Sequence, residues 1–322
     1  MAKVRSAPYP GSERPACRES AMSEGLYIPA LPAGCIIPTM PPARPDSFGD
    51  EFRLPGHEAR LLEMLNPHTR DVRIEFIAEG HIYKVDGKPT RGSVTKLVHE
   101  FAQQFDADAV IKRMMSGDNW PRDEYVHLNG EPLSASEIKE KWERNRIESA
   151  NRGTWMHWQF ELHLNRCPVE LDGPEMNMFI KFLRSLGGFT AFRTEWEIFG
   201  EAECIAGSVD FVAKAVNGSL LLVDWKRSKS IKSKYDPSFR RAMKAPLDGL
   251  LDCAGIHYRL QLNCYRYIIQ KYYDMTVNKM MVVGTHPDNN GEAFVDDVPV
   301  MIDETEALMT WQRLKLELPK TV

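Results

Sequence analysis

Residues 205–226 read IAGSVDFVAKAVNGSLLLVDWK. Two extended runs, Ile205 to Lys214 and Leu220 to Lys226, flank Asn217-Gly218. Asn-Gly between such runs predicts a tight hairpin, because both central residues of that turn need positive φ. Leu220-Leu221-Leu222-Val223 is apolar at every position, which suits a strand buried on both faces, inside a sheet with helices on either side. Asp224 and Lys226 follow where that strand leaves its core. Side chains alternate along a strand, so these two emerge on one face. Strand ends of this kind are where an α/β sheet keeps its sites. The hairpin folds the earlier run back and can bring Asp210, of Gly207-Ser-Val-Asp210, beside them.

Outward from this hairpin, Phe192 to Phe199 alternates and predicts a further strand. Before it, Met176, Phe179, Ile180 and Leu183 form a helical stripe that stops at Gly187-Gly188. Ser134-x-x-Glu137 is a capping box opening a long helix through Trp142. That helix is expected to end or kink at Gly153, with Thr154 capping a second one that carries His157 and Glu161. Ser93 starts a helical pattern through Leu97 and Phe101 to Met114. Ile74 and Phe76 alternate ahead of His81-Ile-Tyr-Lys-Val-Asp-Gly-Lys, where Asp86-Gly87 signals a second hairpin. After Lys226, Tyr258, Leu262, Tyr265, Ile269 and Tyr272 stripe a long helix, and Met280 to Gly284 reads as a buried strand. The fold class is α/β, a sheet with helices packed around it.

The bulk numbers are those of an ordinary globular enzyme: 322 residues, 43% hydrophobic and 27% charged. No run approaches the ~18–20 apolar residues of a membrane span, so no membrane association is expected. The net charge of −4 excludes a uniformly basic coat and leaves local charge to decide the partners. Cys17, Cys35, Cys167, Cys204, Cys253 and Cys264 show no CxxC pair and read as reduced, mostly buried thiols of an intracellular protein. The first 30 residues lack an apolar signal core, and Glu13, Glu19 and Glu24 make a poor transit peptide. Cytoplasm or nucleus is expected, with an organelle still open. Prolines at 8, 10, 15, 29, 32, 38, 41, 42 and 45 predict a disordered or loosely draped arm over 1–55. A hairpin and helical elaboration over 56–150 and a core over 151–322 follow.

Two carboxylates on adjoining strands make an oxygen-rich site suited to Mg²⁺ or Mn²⁺. The neighbouring lysine can orient or deprotonate a water, or offset charge. Alone, an Asp-x-Lys at a strand end is usually a solvated pair. The run from Gly153 to Tyr265, however, resembles the RecB-like branch of the PD-(D/E)XK nucleases, which includes CRISPR-adaptation nucleases, the mitochondrial genome maintenance exonuclease and similar proteins of phages and large DNA viruses. That family's elements occur in order here: Gly153-Thr-Trp-Met-His157-Trp-Gln-Phe-Glu161, Glu195, Gly207-Ser-Val-Asp210, Asp224-Trp-Lys226 and Gln261-Leu-Asn-Cys-Tyr265. The resemblance implies a restriction-endonuclease-like core, a mixed central sheet flanked by helices. It implies a Mg²⁺- or Mn²⁺-dependent deoxyribonuclease, an exonuclease on single-stranded or end-containing DNA.

Under that resemblance His157, Asp210, Asp224 and Glu195 are metal ligands and Lys226 assists the water. Glu161 supports His157, while Gln261 and Tyr265 position the DNA or the lysine. Glu197 is the fallback for Glu195. On their own terms, His157 suits a satisfied interface histidine and Tyr265 a core residue. Ser208 and Ser228 flank the acidic positions and can donate to phosphate or simply fill space.

From Lys226 to Lys244 there are eight cations opposed by Asp236 alone. Arg227, Lys229, Lys232, Lys234, Arg240 and Arg241 are therefore candidates to follow a phosphate backbone, and Tyr235 and Phe239 to stack on unpaired bases. The alternative is a solvated loop. No cysteine triplet follows Tyr265, so no iron–sulfur cluster is expected. No phosphate loop of the ATPase kind occurs, so a helicase or recombinase partner would be another chain. A catalytically silent DNA-binding or assembly module and an RNA-directed nuclease remain the other readings. The sequence leaves oligomeric state open.

Overall fold

In the computed structural model, which describes residues 25–34, 40–54, 60–237 and 240–317, Gly218 sits at φ 86°, where glycine is strain-free. The Ala215 N–H donates to the Ser219 carbonyl across the turn at 2.8 Å. The elements in chain order begin with α1 (Leu61–Leu65), β1 (Ile74–Ile77), β2 (Ile82–Val85), β3 (Lys88–Pro89), β4 (Gly92–Ser93), α2 (Val94–Glu100), α3 (Ala107–Met115) and α4 (Ala135–Leu164). They continue with α5 (Pro174–Arg184), β5 (Phe189–Gly200), β6 (Ile205–Ala215), β7 (Leu220–Arg227), α6 (Ala254–Tyr272), β8 (Val277–Thr285), β9 (Phe294–Asp297) and α7 (Ile302–Glu317).

One mixed sheet of six strands forms the centre. β5 is antiparallel to β6 along its length, β6 antiparallel to β7, β7 parallel to β8 through the α6 crossover, and β8 antiparallel to β9. The fully apolar run of β7 is buried on both faces as its composition requires. Leu220 and Leu222 pack towards α6, α2 and α7, while Leu221, Val223 and Trp225 pack towards α4 and α5.

The sheet is forked. β5 occupies one edge of β6 throughout, so β4 and β7 must share the other edge. β4 pairs with Ile205 and Ala206, and β7 with Phe211 to Lys214. Between them the edge of Gly207 to Asp210 has no strand beside it, and β7 beyond Val223 pairs only with β8. The alternation along β6 also slips here. Val209 and Val212 lie on the α6 side, but Phe211 and Ala213 on the α4 side. Opposite the slip, Glu195 of β5 takes φ 41°, a left-handed conformation unusual for a non-glycine residue.

Several expectations are corrected. α4 is one unbroken 30-residue helix through Gly153. A single glycine weakens a helix by only about 1 kcal/mol, and the burial of Met156, Phe160 and Leu164 against the sheet outweighs it. The single helix expected from Ser93 to Met114 is two. The Phe101 carbonyl accepts from Lys244 N–H, Gln103 N–H donates to Asp252, and Asp106 caps the restart through Ala109 N–H. Part of the supposedly draped arm is attached: Tyr27 bridges to Thr190, and Phe48 is buried. The rest of that expectation, with Cys17, Cys35 and Phe239, lies outside the described residues. β4, β9 and α7 carried no strong local signal and were missed. No described helix is long and apolar enough to cross a membrane.

Candidate metal site at the sheet fork

The fork gathers side chains from α4, β5, β6 and β7. His157, near the C-terminal end of α4, holds Nδ1 3.6 Å from Asp210 Oδ2 and 3.9 Å from Glu195 Oε1. One ligand atom from each of the three lies within 4.8 Å of the others. Two neighbours fix the carboxylates. Trp225 N–H, freed from strand pairing by the fork, donates to Asp210 Oδ2 at 2.7 Å, and Ser208 Oγ donates to Glu195 Oε2 at 3.0 Å. Ser208 thus serves a carboxylate in this geometry. Glu197 lies two residues further along the cleft floor, outside this grouping.

Asp224 and Lys226 stand next to the triple on the α6 side. Lys226 Nζ is 2.6 Å from Asp224 Oδ2 and 4.9 Å from the Tyr258 ring centre. Gln261 Nε2 donates to Asp224 Oδ1 at 3.3 Å and to Tyr265 Oη at 3.1 Å. Asp224, expected among the metal ligands, is therefore held by Lys226 and Gln261 and is not one of the three grouped ligands. The Tyr265 ring is buried directly against Gly207, where a Cβ would stand 2.6 Å from its Cε1. The glycine of Gly207-Ser-Val-Asp210 is needed for that approach. Tyr258 was read in the sequence only as part of a helical stripe, and no local pattern distinguishes it from a core tyrosine.

The electrostatics reflect crowding of like charge. Burial pushes Asp210 up, with Glu195 adding and His157 and Lys226 opposing. Burial likewise lifts Asp224 to about 6, against the pull of Lys226, and burial together with Glu63 and Glu195 lifts Glu197 to about 7. Burial would lower His157, but Asp210 and Glu195 outweigh it and hold the imidazole at about 9. Burial also opposes the charge on Lys226, yet Asp224 and Asp210 keep it firmly protonated. Its role as an ammonium therefore fits better than proton removal from water. Carboxylates raised by burial and mutual repulsion gain from a cation. One imidazole nitrogen with carboxylate oxygens is a donor set that fits a divalent metal ion.

The triple opens into a cleft of about 650 Å³. α4 walls it with Gly153, His157 and Glu161, and β5 and β6 floor it with Glu195, Glu197 and Ser208. The opposite wall is the β1–β2 hairpin, which presents Phe76, His81 and Tyr83. Their ring centres lie 4.8 to 5.6 Å apart. Tyr83 packs on Phe199 and Ala206, which seats the hairpin on the sheet. These aromatics were read only as a strand pattern, since nothing local says which site a hairpin will face.

The basic segment divides. Arg227 is not on a free loop: its Nε donates to Glu175 at 2.9 Å and its side chain is largely buried. Lys229 lies 3.4 Å from Asp288, and Arg240 pairs with Asp236. Lys232, Lys234, Arg240 and Arg241 are exposed. Tyr235, expected to be available for stacking, is instead packed against Gly255, with Phe294 5.3 Å away and Arg259 over its ring. Cys167, Cys204, Cys253 and Cys264 are free thiols.

No family model and no curated protein matches the sequence. Among solved structures, one described as SSO0001 aligns over 56% of this chain and 68% of its own, at 20% identity and a TM-score of 0.28. Another, from Eubacterium rectale and described as "Putative exonuclease", aligns over 70% of this chain and 65% of its own, at 13% identity and a TM-score of 0.25. Overlaps of that size carry no weight, and the site must be read from its own geometry.

Proposed function

We propose that the protein is a metal-dependent deoxyribonuclease of the RecB-like PD-(D/E)XK kind, an exonuclease acting on single-stranded or end-containing DNA. The observation that carries this reading is the imidazole–carboxylate triple of His157, Glu195 and Asp210 at the fork, with the Lys226 ammonium beside it. These three would hold the cation, with the Asp224–Lys226 pair beside them. When bound, the cation polarises a phosphoryl group and lowers the pKa of water.

The chain's own groups do the rest. Lys226 offsets the charge that develops on the phosphate. Gln261 and Tyr265 keep Asp224 oriented, and Ser208 and the Trp225 N–H do the same for Glu195 and Asp210. The aromatic wall of Phe76, His81 and Tyr83 favours an unpaired strand, whose bases have free faces to stack. The exposed cations beyond β7 give affinity without sequence preference.

The test is digestion of end-labelled single- and double-stranded DNA, and of RNA, with Mg²⁺, Mn²⁺ or chelator. Asp210→Asn and Lys226→Ala are run beside the wild type. Cleavage of DNA only with metal, reduced about 10²–10³-fold or more in both variants, is the expected result. Equal cleavage by either variant, or binding without cleavage under every metal, overturns the reading.

A further inference from the structure

Tyr258 is the side chain at the fork that the proposed chemistry leaves unused. It stands on α6 one turn ahead of Gln261 and two turns ahead of Tyr265, so the three share a face of the helix. Its ring packs against the apolar cluster on the α6 side of the sheet, and Lys226 Nζ lies 4.9 Å from the ring centre. Among the described residues none hydrogen-bonds its hydroxyl, so it meets the site through the ring.

What that contact does follows from the chemistry of an ammonium. A lysine is a point charge on a flexible four-carbon stem, and the Lys226 side chain is still 21% exposed. Held by Asp224 alone, 2.6 Å away, its ammonium is restrained from one side. A second carboxylate would restrain it from the other, but would also cancel the charge that a phosphate needs and occupy its hydrogens. An aromatic face attracts a cation through its quadrupole, carries no net charge and takes no particular N–H. Of the ammonium hydrogens, one then serves Asp224 and the others stay free. Such a contact is also stronger away from solvent than at the surface. Gln261 does the matching job for the other partner, donating to Asp224 Oδ1 at 3.3 Å. One face of α6 thus holds both members of the Asp224–Lys226 pair.

We infer that Tyr258 is a positioning residue for Lys226, its ring holding the ammonium against Asp224 without neutralising it. The effect on turnover rests on the fork being a nuclease site; the contact itself does not. Lys226 meets the phosphate, and Tyr258 acts through it.

Two measurements on the full chain test the contact and its consequence separately. The first is urea denaturation in chelator, with Tyr258→Leu compared with wild type and again in a Lys226→Met background. Leucine removes the ring and keeps apolar bulk, and a cycle of this kind isolates the pairwise contact. Tyr258→Met serves in the same way should the leucine variant fail to fold. The fall in urea midpoint should be clearly smaller in the Lys226→Met background. Equal falls make Tyr258 a packing residue only and overturn the proposal. That comparison holds even if no DNA is cut, an outcome that sinks the nuclease assignment alone. The second measurement is steady-state cleavage. Tyr258→Leu should lower kcat about tenfold. Its KM should stay within about twofold, since Lys226 acts on charge that develops in the transition state. Tyr258→Phe, which keeps the ring, should recover most of the lost turnover. A rise in KM at unchanged kcat would place Tyr258 on the substrate, and a phenylalanine variant as slow as the leucine one would assign its effect to the hydroxyl; either overturns the proposal.

Discussion

At the scale of single residues, the fork depends on close approaches that particular side chains permit. Gly207 admits the Tyr265 ring, and through Tyr265 and Gln261 that contact reaches the Asp224 carboxylate. Gly207→Ala should therefore act twice. The added methyl meets a buried ring with no room to retreat, costing about 1–3 kcal/mol of stability, and it displaces the chain of bonds that holds Asp224. Urea denaturation reads the first effect and turnover at fixed metal the second; a variant as stable and as active as wild type would refute the contact's importance. Glu195 makes the complementary point. Its left-handed backbone carries strain, and it occurs where the carboxylate must turn towards His157 and Asp210.

At the scale of elements, α4 and the β1–β2 hairpin are the two walls of the cleft. Gly153 lies in the middle of α4 with nothing within 4 Å of where a Cβ would stand. Gly153→Ala should then stabilise the helix by about 0.5–1 kcal/mol and raise Tm by about 1–3 °C. A fall in Tm would mean that the helix is strained or broken there after all. The hairpin's contribution is tested at His81, exposed at its tip beside Phe76 and Tyr83. His81→Ala should weaken binding of a short single-stranded oligonucleotide by about fivefold to tenfold, within the ~1–3 kcal/mol of one stacked base. Duplex affinity should change far less. Equal losses on both substrates would contradict the stacking role.

For the molecule as a whole, the far end of the β5–β6 turn is tied down by one buried carboxylate. Glu203 is fully buried and receives hydrogen bonds from Tyr267, Tyr272, Lys271 and Arg313, so it joins the turn to α6 and α7. Burial would raise its pKa, but these donors outweigh burial and hold it below the usual carboxylate range. A carboxyl depressed in the folded state contributes its full stability above the unfolded value, about 4.3, and loses it as pH falls towards the folded pKa. Glu203→Gln should cost about 2–4 kcal/mol at pH 7, and the gap from wild type should narrow in acid below about pH 4. A gap independent of pH would assign the loss to packing alone.

The strands and the hairpin joining them were legible in the sequence because both signals are local, although Asn217 does not take the positive φ of the two-residue turn and the loop is three residues long. A period of two, four consecutive apolar residues and Asn-Gly are satisfied by neighbours in the chain, and β5 to β8 lie where those patterns put them. The helices on both faces followed from the double burial of β7. The candidate site was legible as a list of residues through a resemblance, but no local rule brings His157 of α4 to Glu195 and Asp210. That grouping rests on β4 and β7 sharing one edge of β6 and leaving a gap between them, and on α4 running on through Gly153. Tertiary packing decided both, since a buried helical stripe outweighs one glycine. It also drew Arg227 to Glu175 and tucked Tyr235 against Gly255, removing two groups that composition alone had left facing solvent. Sequence by itself determined which residues alternate and where the chain turns; which faces meet was decided by burial of apolar surface between segments far apart in the chain.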